Sequence, residues 1–272
     1  MKKSLLRAAL AATAIFAATT ASAALVQSFD FTAAVTLSPT QVAGTWYTDR
    51  YAPAGFATSG GQLVQTISAA DSAANRPGAY SSTFYDTQGR KYDLNAGVTA
   101  LSIDLLVPSS WAGSNQRMAG LWGVAYDGSN TLSSYPILEF ASDGSTPRFQ
   151  GWNDSAGWVN YGLPGGFAYD VMHTLEVALN GTNWEYSLDG VTLGLVSALG
   201  STRIENVILQ GYNKFLPSAN GATNGDQRSY AIHWDNLVAS DGTVPEPASL
   251  ALAGVALMGL GLTRRRKVNK QA

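Results

Sequence analysis

The stretch that most constrains the fold of this 272-residue chain is His173–Val196, where two tight-turn signals separate three short runs. In the first two runs the apolar side chains occupy every second position: Leu175, Val177 and Leu179, then Trp184, Tyr186 and Leu188. Asn-Gly at 180–181 and Asp-Gly at 189–190 suit two-residue hairpin turns, because both residue types tolerate positive φ. The stretch therefore predicts a three-stranded antiparallel meander.

Runs with the same period of two recur between residues 25 and 238, and no long segment among them has the period of a helix. The runs are Leu25–Phe31, Gln62–Ser68, Ala79–Tyr85, Thr99–Val107, Met118–Tyr126, Pro136–Phe140, Arg148–Trp152, Thr174–Leu179, Trp184–Leu188, Val191–Val196, Ile204–Gln210 and Ala231–Val238. Many short strands at this spacing predict an all-β sandwich or barrel.

The N-terminal segment Met1–Ala23 has the three parts of a secretory signal peptide. A charged start is followed by an apolar centre and by an A-x-A cleavage site at Ala21 and Ala23. The sequence therefore predicts passage through the Sec translocon, cleavage by signal peptidase and a mature chain that begins at Ala24.

The C-terminal segment combines a short rigid motif, an apolar run and a basic stop. The motif is Val244, Pro245, Glu246 and Pro247, and the stop is Arg264, Arg265, Arg266 and Lys267. The largely apolar run Ala248–Leu262 has 15 residues and reaches roughly 22 Å as a helix, short of the ~30 Å hydrocarbon core. Basic side chains that reach the headgroups compensate for this shortfall and keep their own end in the cytoplasm. We therefore expect a transmembrane helix with a cytoplasmic C-terminus.

This C-terminal segment resembles the PEP-CTERM sorting signal of Gram-negative bacteria. The resemblance implies that an exosortase removes the helix and passes the protein to the cell surface or extracellular matrix. The inner membrane is then a transient partner, whereas a permanent tail anchor is the alternative. The expected organisation is a signal peptide at 1–23, a β-sandwich at 24–238, a linker at 239–243 and the sorting signal at 244–268.

Charge and cysteine content narrow the possible partners. Between the signal peptide and the basic stop, from residue 24 to Thr263, nine basic residues face 19 acidic ones, which gives a net charge of −10. A domain this acidic is a poor partner for nucleic acid, because binding requires cations that neutralise phosphates. The chain has no cysteine, so neither a disulfide nor a thiolate metal site is available.

The meander also resembles the late strands of concanavalin-like and laminin-G-like jelly rolls, in which a histidine opens a strand and an Asp-Gly turn closes the hairpin. Tyr230–Leu237 is similar to their last strand, which typically pairs near the first. The resemblance implies a jelly-roll β-sandwich; an immunoglobulin-like sandwich is the alternative.

Sequence signals for catalysis are weak. The Glu-x-Asp-x-Glu run of laminarinase-type glycosidases is absent. Glu176 and Glu185 can face each other across the 180–181 turn as an acid and nucleophile, but we expect them to be solvent-facing positions of their strands. With only His173 and His233, no G-x-S-x-G and no H-E-x-x-H, neither a serine triad nor a histidine-rich zinc site is expected.

The stretch 151–162 contains the strongest binding candidates, which combine aromatic rings with amide and carboxylate groups: Trp152, Asn153, Asp154, Trp158 and Tyr161. Apolar C–H faces of sugars stack on aromatic rings, and amides and carboxylates bind hydroxyls. The alternative is a hairpin whose tryptophans belong to the core. We expect Trp152 in the core and Trp158 and Tyr161 exposed.

A structural calcium ion is a further candidate. Asp30 lies in the first predicted strand, and Asp235 and Asn236 lie in the last one. If these strands are neighbours, hard oxygen ligands from both can join the ends of a cysteine-free domain. Carboxylates that cap strand ends or face water are the alternative.

These observations together predict an exported surface or biofilm-matrix protein that binds extracellular polysaccharide without catalysis. A polysaccharide-active hydrolase or lyase is the alternative from another functional class. A purely structural matrix protein with no specific ligand is the third.

Overall fold

The structure is a computed structural model that describes residues 24–73, 75–113, 117–142, 146–213 and 229–242. These residues form seventeen strands: β1 Leu25–Phe29, β2 Leu37–Ser38, β3 Trp46–Thr48, β4 Gly55–Ser59, β5 Gln62–Ile67, β6 Thr87–Asp93, β7 Ala100–Leu106, β8 Arg117–Asp127, β9 Leu132–Ser134, β10 Ile137–Ala141, β11 Arg148–Asn153, β12 Gly157–Gly162, β13 Met172–Asn180, β14 Asn183–Leu188, β15 Val191–Ser197, β16 Ser201–Tyr212 and β17 Tyr230–Ser240. Four short 3₁₀ helices accompany them, at Ala69–Asp71, Gly78–Tyr80, Thr83–Asp86 and Ser109–Trp111.

The strands form two sheets. The eight-stranded sheet has the order β15-β14-β13-β7-β17-β5-β4, with β1 beside β17. The nine-stranded sheet has the order β12-β11-β10-β8-β16-β6-β3-β2, with β9 beside β8. Among these described strands only the short pair β2–β3 is parallel. The expected all-β jelly-roll sandwich is therefore confirmed.

The hydrophobic core lies between the two sheets. Its largest fully buried side chains come from both of them: Trp46, Trp184, Trp234, Tyr186, Phe140, Phe149, Leu63, Ile67, Leu101, Ile103, Leu105 and Met118. Burial of each such side chain contributes about 1.5–3 kcal/mol, which in this cysteine-free chain takes the place of disulfide cross-links.

The predicted meander is present as β13, β14 and β15, with one turn shifted by a residue. Asn180 pairs with Asn183, so the first turn is centred on Gly181 and Thr182 rather than on 180–181. Only Gly181 has positive φ there, as a glycine at the first central position of a hairpin turn requires. At the second turn Asp189 and Gly190 both have positive φ, as predicted.

The prediction of a strand over Ala79–Tyr85 is wrong. That segment contains two 3₁₀ helices, and the strand of this region is β6 instead. Pro77 precedes the first of these helices and Gly78 begins it, which breaks an extended run. Thr87–Asp93 has no apolar alternation that would reveal a strand. At the C-terminal end, β17 continues through Ala239 and Ser240, which pair with β7.

The terminal predictions lie outside the described residues. This applies to the cleavage site at Ala21 and Ala23, to the motif at Val244–Pro247, to the apolar helix and to the basic cluster at Arg264–Lys267. Within the part of the chain that the structure describes, no helix combines the length and the apolar character needed to cross a membrane.

Candidate functional site

A second apolar cluster lies on the outer face of the nine-stranded sheet, apart from the core. Alternation along β8 explains it, because Leu121 and Ala125 belong to the core while Trp122 and Val124 belong to this second cluster. The other members come from neighbouring strands and loops: Ile137, Ile208, Tyr126, Tyr135, Trp152 and Trp158. We call this surface the aromatic face.

The strand register aligns several of these side chains in one row across the sheet. Trp152 pairs with Trp158, Ile137 with Trp122, Trp122 with Ile208, and Ile208 with Lys91. The rings of Trp152 and Trp158 meet edge to face, with 5.2 Å between their centres. Trp122 is buried in the middle of the row, whereas Trp152 and Trp158 remain half-buried at one end.

The stretch 151–162 belongs to the β-hairpin of β11 and β12, and its turn fixes two of the predicted binding residues. The Asp154 carboxylate accepts hydrogen bonds from Trp152 Nε1 at 3.1 Å and from the backbone N–H of Tyr135 at 3.3 Å. The Asn153 side chain accepts one from the backbone N–H of Ser155 at 2.9 Å, as in an Asx turn. Asp154 therefore lies on the aromatic face, whereas Asn153 shapes the turn.

Tyr161 does not lie with the tryptophans, and the expectation that it is exposed is wrong. It is an odd number of residues from Trp158 on the same strand, so it points between the sheets, where its ring centre is 6.3 Å from that of Tyr186. A Cβ at Gly194 would come within 2.6 Å of its ring, so that glycine makes room for it. Trp152 was expected in the core, but alternation along β11 places it on the outer face.

Two charged residues that sequence reasoning missed lie over the aromatic face, directly after β3. The Arg50 guanidinium is 4.9 Å from the centre of the Trp122 ring and 4.7 Å from that of Phe84. Its Nε is 3.6 Å from the Asp49 carboxylate. Burial raises the pKa of Asp49, and the charges of Arg50 and Lys91 offset part of that rise.

Tyr135 lies in the same charged surroundings. Burial raises the pKa of the Tyr135 phenol, the charge of Arg50 offsets part of the rise, and the charges of Asp49 and Asp154 add to it. No local signal marks Asp49 as a site residue, because it is about a hundred positions from Asp154 and only the pairing of β3 with β6 brings it to this sheet.

The buried carboxylate of Glu139 supports the aromatic face, because it lies two positions from Ile137 on β10, beside the tryptophan row. Glu139 accepts hydrogen bonds from Gln150 Nε2 at 2.6 Å and from Gln210 Nε2 at 3.0 Å. Gln210 reaches it across β8 above Gly120, where a Cβ would be 2.4 Å from Gln210 Nε2. The residues two positions before and after Glu139 are Ile137 and Ala141, so this strand carries no second carboxylate at the alternating positions.

The other weak catalytic candidates have structural partners. Glu176 accepts a hydrogen bond from Ser187 and lies diagonally from Glu185, which accepts from Asn180 and Thr192. His173 is buried between Asp189 Oδ2 and the carbonyl of Ala168, at 2.7 Å from each, and stacks on Phe167. His233 contacts Gln62.

The proposed calcium ligands come from strands that are indeed neighbours, since Phe29 of β1 pairs with Leu237 of β17. Asp30 accepts hydrogen bonds from Thr32, and Asp235 accepts one from the N–H of Asn236. The Asn236 amide nitrogen donates to Asp104 at 2.8 Å. In the described part of the chain no three His, Cys, Asp or Glu side chains are grouped to hold a metal. The calcium site stays a prediction.

Several solved structures that share this fold are glycan-cleaving enzymes. The chain matches an endo-β-galactosidase from Clostridium perfringens that releases GlcNAcα1-4Gal (13% identity, TM-score 0.54), covering 82% of this chain and 64% of that one. It matches SCLam, a non-specific endo-β-1,3(4)-glucanase of family GH16 (12%, 0.52), over 82% and 92%. It matches the endo-1,3-β-glucanase (laminarinase) of Thermotoga petrophila (13%, 0.50) over 81% and 98%.

These similarities define the fold class as a concanavalin-like jelly roll. They correct the expectation of a non-catalytic domain, because the matched structures named here are endo-glycosidases. The chain spans 17% of the length of a sialidase that it also matches and, as noted, 64% of the endo-β-galactosidase.

The C-terminal segment is assigned by a family model. Residues 243–267 match the PEP-CTERM protein-sorting motif, which confirms that resemblance. The motif implies secretion, C-terminal membrane anchoring and an exosortase as the processing partner. No curated protein matches the chain in sequence.

Proposed function

We propose that the exported sandwich is a polysaccharide-active glycosidase and that its site is the aromatic face. The observation that carries the proposal is the position of two carboxylates at the tryptophan row: Asp49 lies 3.6 Å from Arg50, which covers the Trp122 ring, and Asp154 accepts hydrogen bonds from Trp152 Nε1 and the Tyr135 N–H. The fold shared with endo-glycosidases supports it, although identity below 25% restricts that support to the fold.

The aromatic face suits sugar binding because it offers rings and polar groups together. Trp152 and Trp158 supply half-buried rings on which apolar sugar faces stack, and Tyr126 and Tyr135 extend this surface. The hydrogen bond from Trp152 to Asp154 fixes both side chains before a ligand arrives. Such preorganisation lowers the entropy lost on binding.

The two carboxylates have environments suited to different tasks in hydrolysis. Asp49 is desolvated, which raises its pKa and favours the protonated form that can donate its proton to the glycosidic oxygen as the C–O bond breaks. Asp154 is exposed and fixed by two hydrogen bonds. It accepts a proton from the water that attacks the anomeric carbon. Alternatively it attacks that carbon itself, and a water deprotonated by Asp49 then breaks the ester bond and releases Asp154. The water supplies the hydroxyl of the new reducing end.

The sorting motif gives this activity a location outside the cytoplasm. After export and anchoring, exosortase cleavage would deliver the sandwich to the outer surface or the extracellular matrix. Extracellular polysaccharide is then the substrate class within reach. The acidic sandwich is again a poor partner for nucleic acid.

A reducing-end assay tests the proposal on full-length protein in mild detergent. The substrates are mixed-linkage β-1,3(4)-glucan, β-1,3-glucan and the exopolysaccharide of the producing organism. We expect new reducing ends from at least one of them, with kcat lower by roughly 10²-fold or more in Asp49→Asn and Asp154→Asn. Glu185→Gln, a carboxylate on the opposite sheet, should retain activity. Saturable binding without new reducing ends from any of the three would overturn the proposal.

A further inference from the structure

A second group of aromatic rings lies beyond the β6 end of the aromatic face, in the segment that precedes β6. Tyr80 and Phe84 are exposed, with 40% and 55% of their surface accessible. Tyr85 is within 5.0 Å of the Tyr80 ring and 5.1 Å of the Phe84 ring, and Tyr51 is 5.4 Å from Tyr80. We call these four side chains the tyrosine patch.

Buried Arg76 holds the tyrosine patch in place from below. Its guanidinium donates to the Asp86 carboxylate at 2.5 Å and to the carbonyl oxygens of Tyr85 and Ser82. It also lies 5.6 Å from the centre of the Tyr51 ring. A buried cation with these partners fixes the backbone that carries Tyr80 and Phe84. The exposed rings are therefore preorganised, which favours ligand binding by rigid aromatic side chains.

The tyrosine patch is continuous with the aromatic face through Arg50. The guanidinium lies between the rings of Phe84 and Trp122, so those two ring centres are separated by at most the sum of 4.7 Å and 4.9 Å. From β12, which carries Trp158, to β6, which borders the patch, the sheet has five strand spacings, or roughly 24 Å at about 4.8 Å each. A surface of this length spans several sugar units.

We propose that the tyrosine patch is a distal subsite that binds the far part of a long polysaccharide chain lying across the aromatic face. This inference rests on the proposed function and narrows its substrate class to polymers rather than short oligosaccharides. Exposed Phe84 and Tyr80 stack on sugar rings, and a tyrosine hydroxyl at the edge of the patch binds their hydroxyls.

Calorimetric titration of the full-length protein tests the subsite with two probes, a mixed-linkage β-1,3(4)-glucan polymer and a tetrasaccharide of the same linkages. We expect Tyr80→Ala/Phe84→Ala to weaken polymer binding by tenfold or more and tetrasaccharide binding by less than twofold. Phe84→Ser alone changes one exposed position and should also weaken polymer binding. This single variant tests the subsite if the double variant does not fold. Leu195→Ala is the matched control, because Leu195 is as exposed as Phe84 but lies on the opposite sheet.

Unchanged polymer affinity in a folded double variant would overturn the subsite, and so would an equal loss for both probes. A different result is expected if the subsite exists but the protein is not a glycosidase. Wild-type protein then binds polymer more tightly than tetrasaccharide, the double variant loses this difference in affinity, and no new reducing ends appear. Absence of any binding by the wild-type protein overturns both proposals.

Discussion

The outer faces of the two sheets differ although the same alternation along the strands produces both. The outer face of the nine-stranded sheet carries tryptophans, tyrosines and a buried glutamate. On the eight-stranded sheet the charged side chains of the strands are all acidic, and Asp104, Glu176 and Glu185 form hydrogen bonds with neighbouring polar groups. A polar face needs only water, whereas an aromatic face beside desolvated charge indicates a ligand.

The largest expected difference between the faces concerns their glutamates. Glu139→Ala removes the acceptor of two buried glutamine amides and leaves a cavity, so we expect a loss of about 3–5 kcal/mol of unfolding free energy. Glu185→Ala, on the eight-stranded sheet, should cost less than about 1 kcal/mol. Urea denaturation of both variants measures this, and equal losses would show that the Glu139 network does not support its face.

Gly120→Ala is expected to have the next largest effect. Its Cβ would come within 2.4 Å of Gln210 Nε2 and 3.1 Å of the Glu139 Cβ, so the Gln210 side chain that crosses β8 to bind Glu139 must move. We expect a loss of about 1–3 kcal/mol in the same denaturation experiment. Gly128 is the matched control, because no atom lies within 4 Å of its Cβ position and its φ is not positive. A similar loss in Gly128→Ala would contradict this account.

Asp49 and Glu185 should shift thermal stability in opposite directions. The folded-state pKa of Asp49 is raised, so its ionisation weakens the fold as pH rises through that value. Hydrogen bonds from Thr192 and Asn180 lower the pKa of Glu185, so its stabilising contribution is present at neutral pH and is lost as pH falls.

At pH 7 we therefore expect a higher Tm in Asp49→Asn and a lower Tm in Glu185→Gln, each relative to wild type. Both differences should shrink as the pH falls towards 3. Thermal scans at several pH values measure them. A lower Tm of Asp49→Asn at pH 7 would show that Asp49 stabilises the fold and weaken its assignment as the proton donor.

The smallest expected effect concerns calcium on the eight-stranded sheet. Binding by Asp30 and Asp235 would raise the Tm of full-length protein by a few degrees in millimolar calcium, because a ligand that binds only the folded state stabilises it. Chelator should reverse the rise, and Asp30→Asn should abolish it. An unchanged Tm in calcium would contradict the calcium site, and Asp30 and Asp235 would then have only the hydrogen-bonding roles that the structure shows.

Local patterns allowed the meander and the sandwich class to be predicted, because alternation and turn residues act over a few positions. The same alternation should have separated Tyr161 from Trp158, since an odd spacing on one strand places two side chains on opposite faces. The strand predicted in this region ends at Trp152, so alternation gave no prediction for Trp158 and Tyr161.

The rest of the site depends on contacts between distant parts of the chain. Asp49 and Arg50 reach the tryptophan row only through the pairing of β3 with β6 and β6 with β16. Nothing near Glu139 in sequence reveals that Gln210, 71 positions away, crosses Gly120 to bind it. Such long-range placement has no signal in one sequence.

Intrinsic tryptophan fluorescence tests most directly that ligand binds the aromatic face. Full-length protein is titrated with the exopolysaccharide of the producing organism and with mixed-linkage β-1,3(4)-glucan, alongside Trp158→Ala and Leu195→Ala. The account predicts saturable quenching in wild type and in Leu195→Ala, and its loss in folded Trp158→Ala. Quenching of the same amplitude and affinity in Trp158→Ala would contradict it and place the ligand elsewhere.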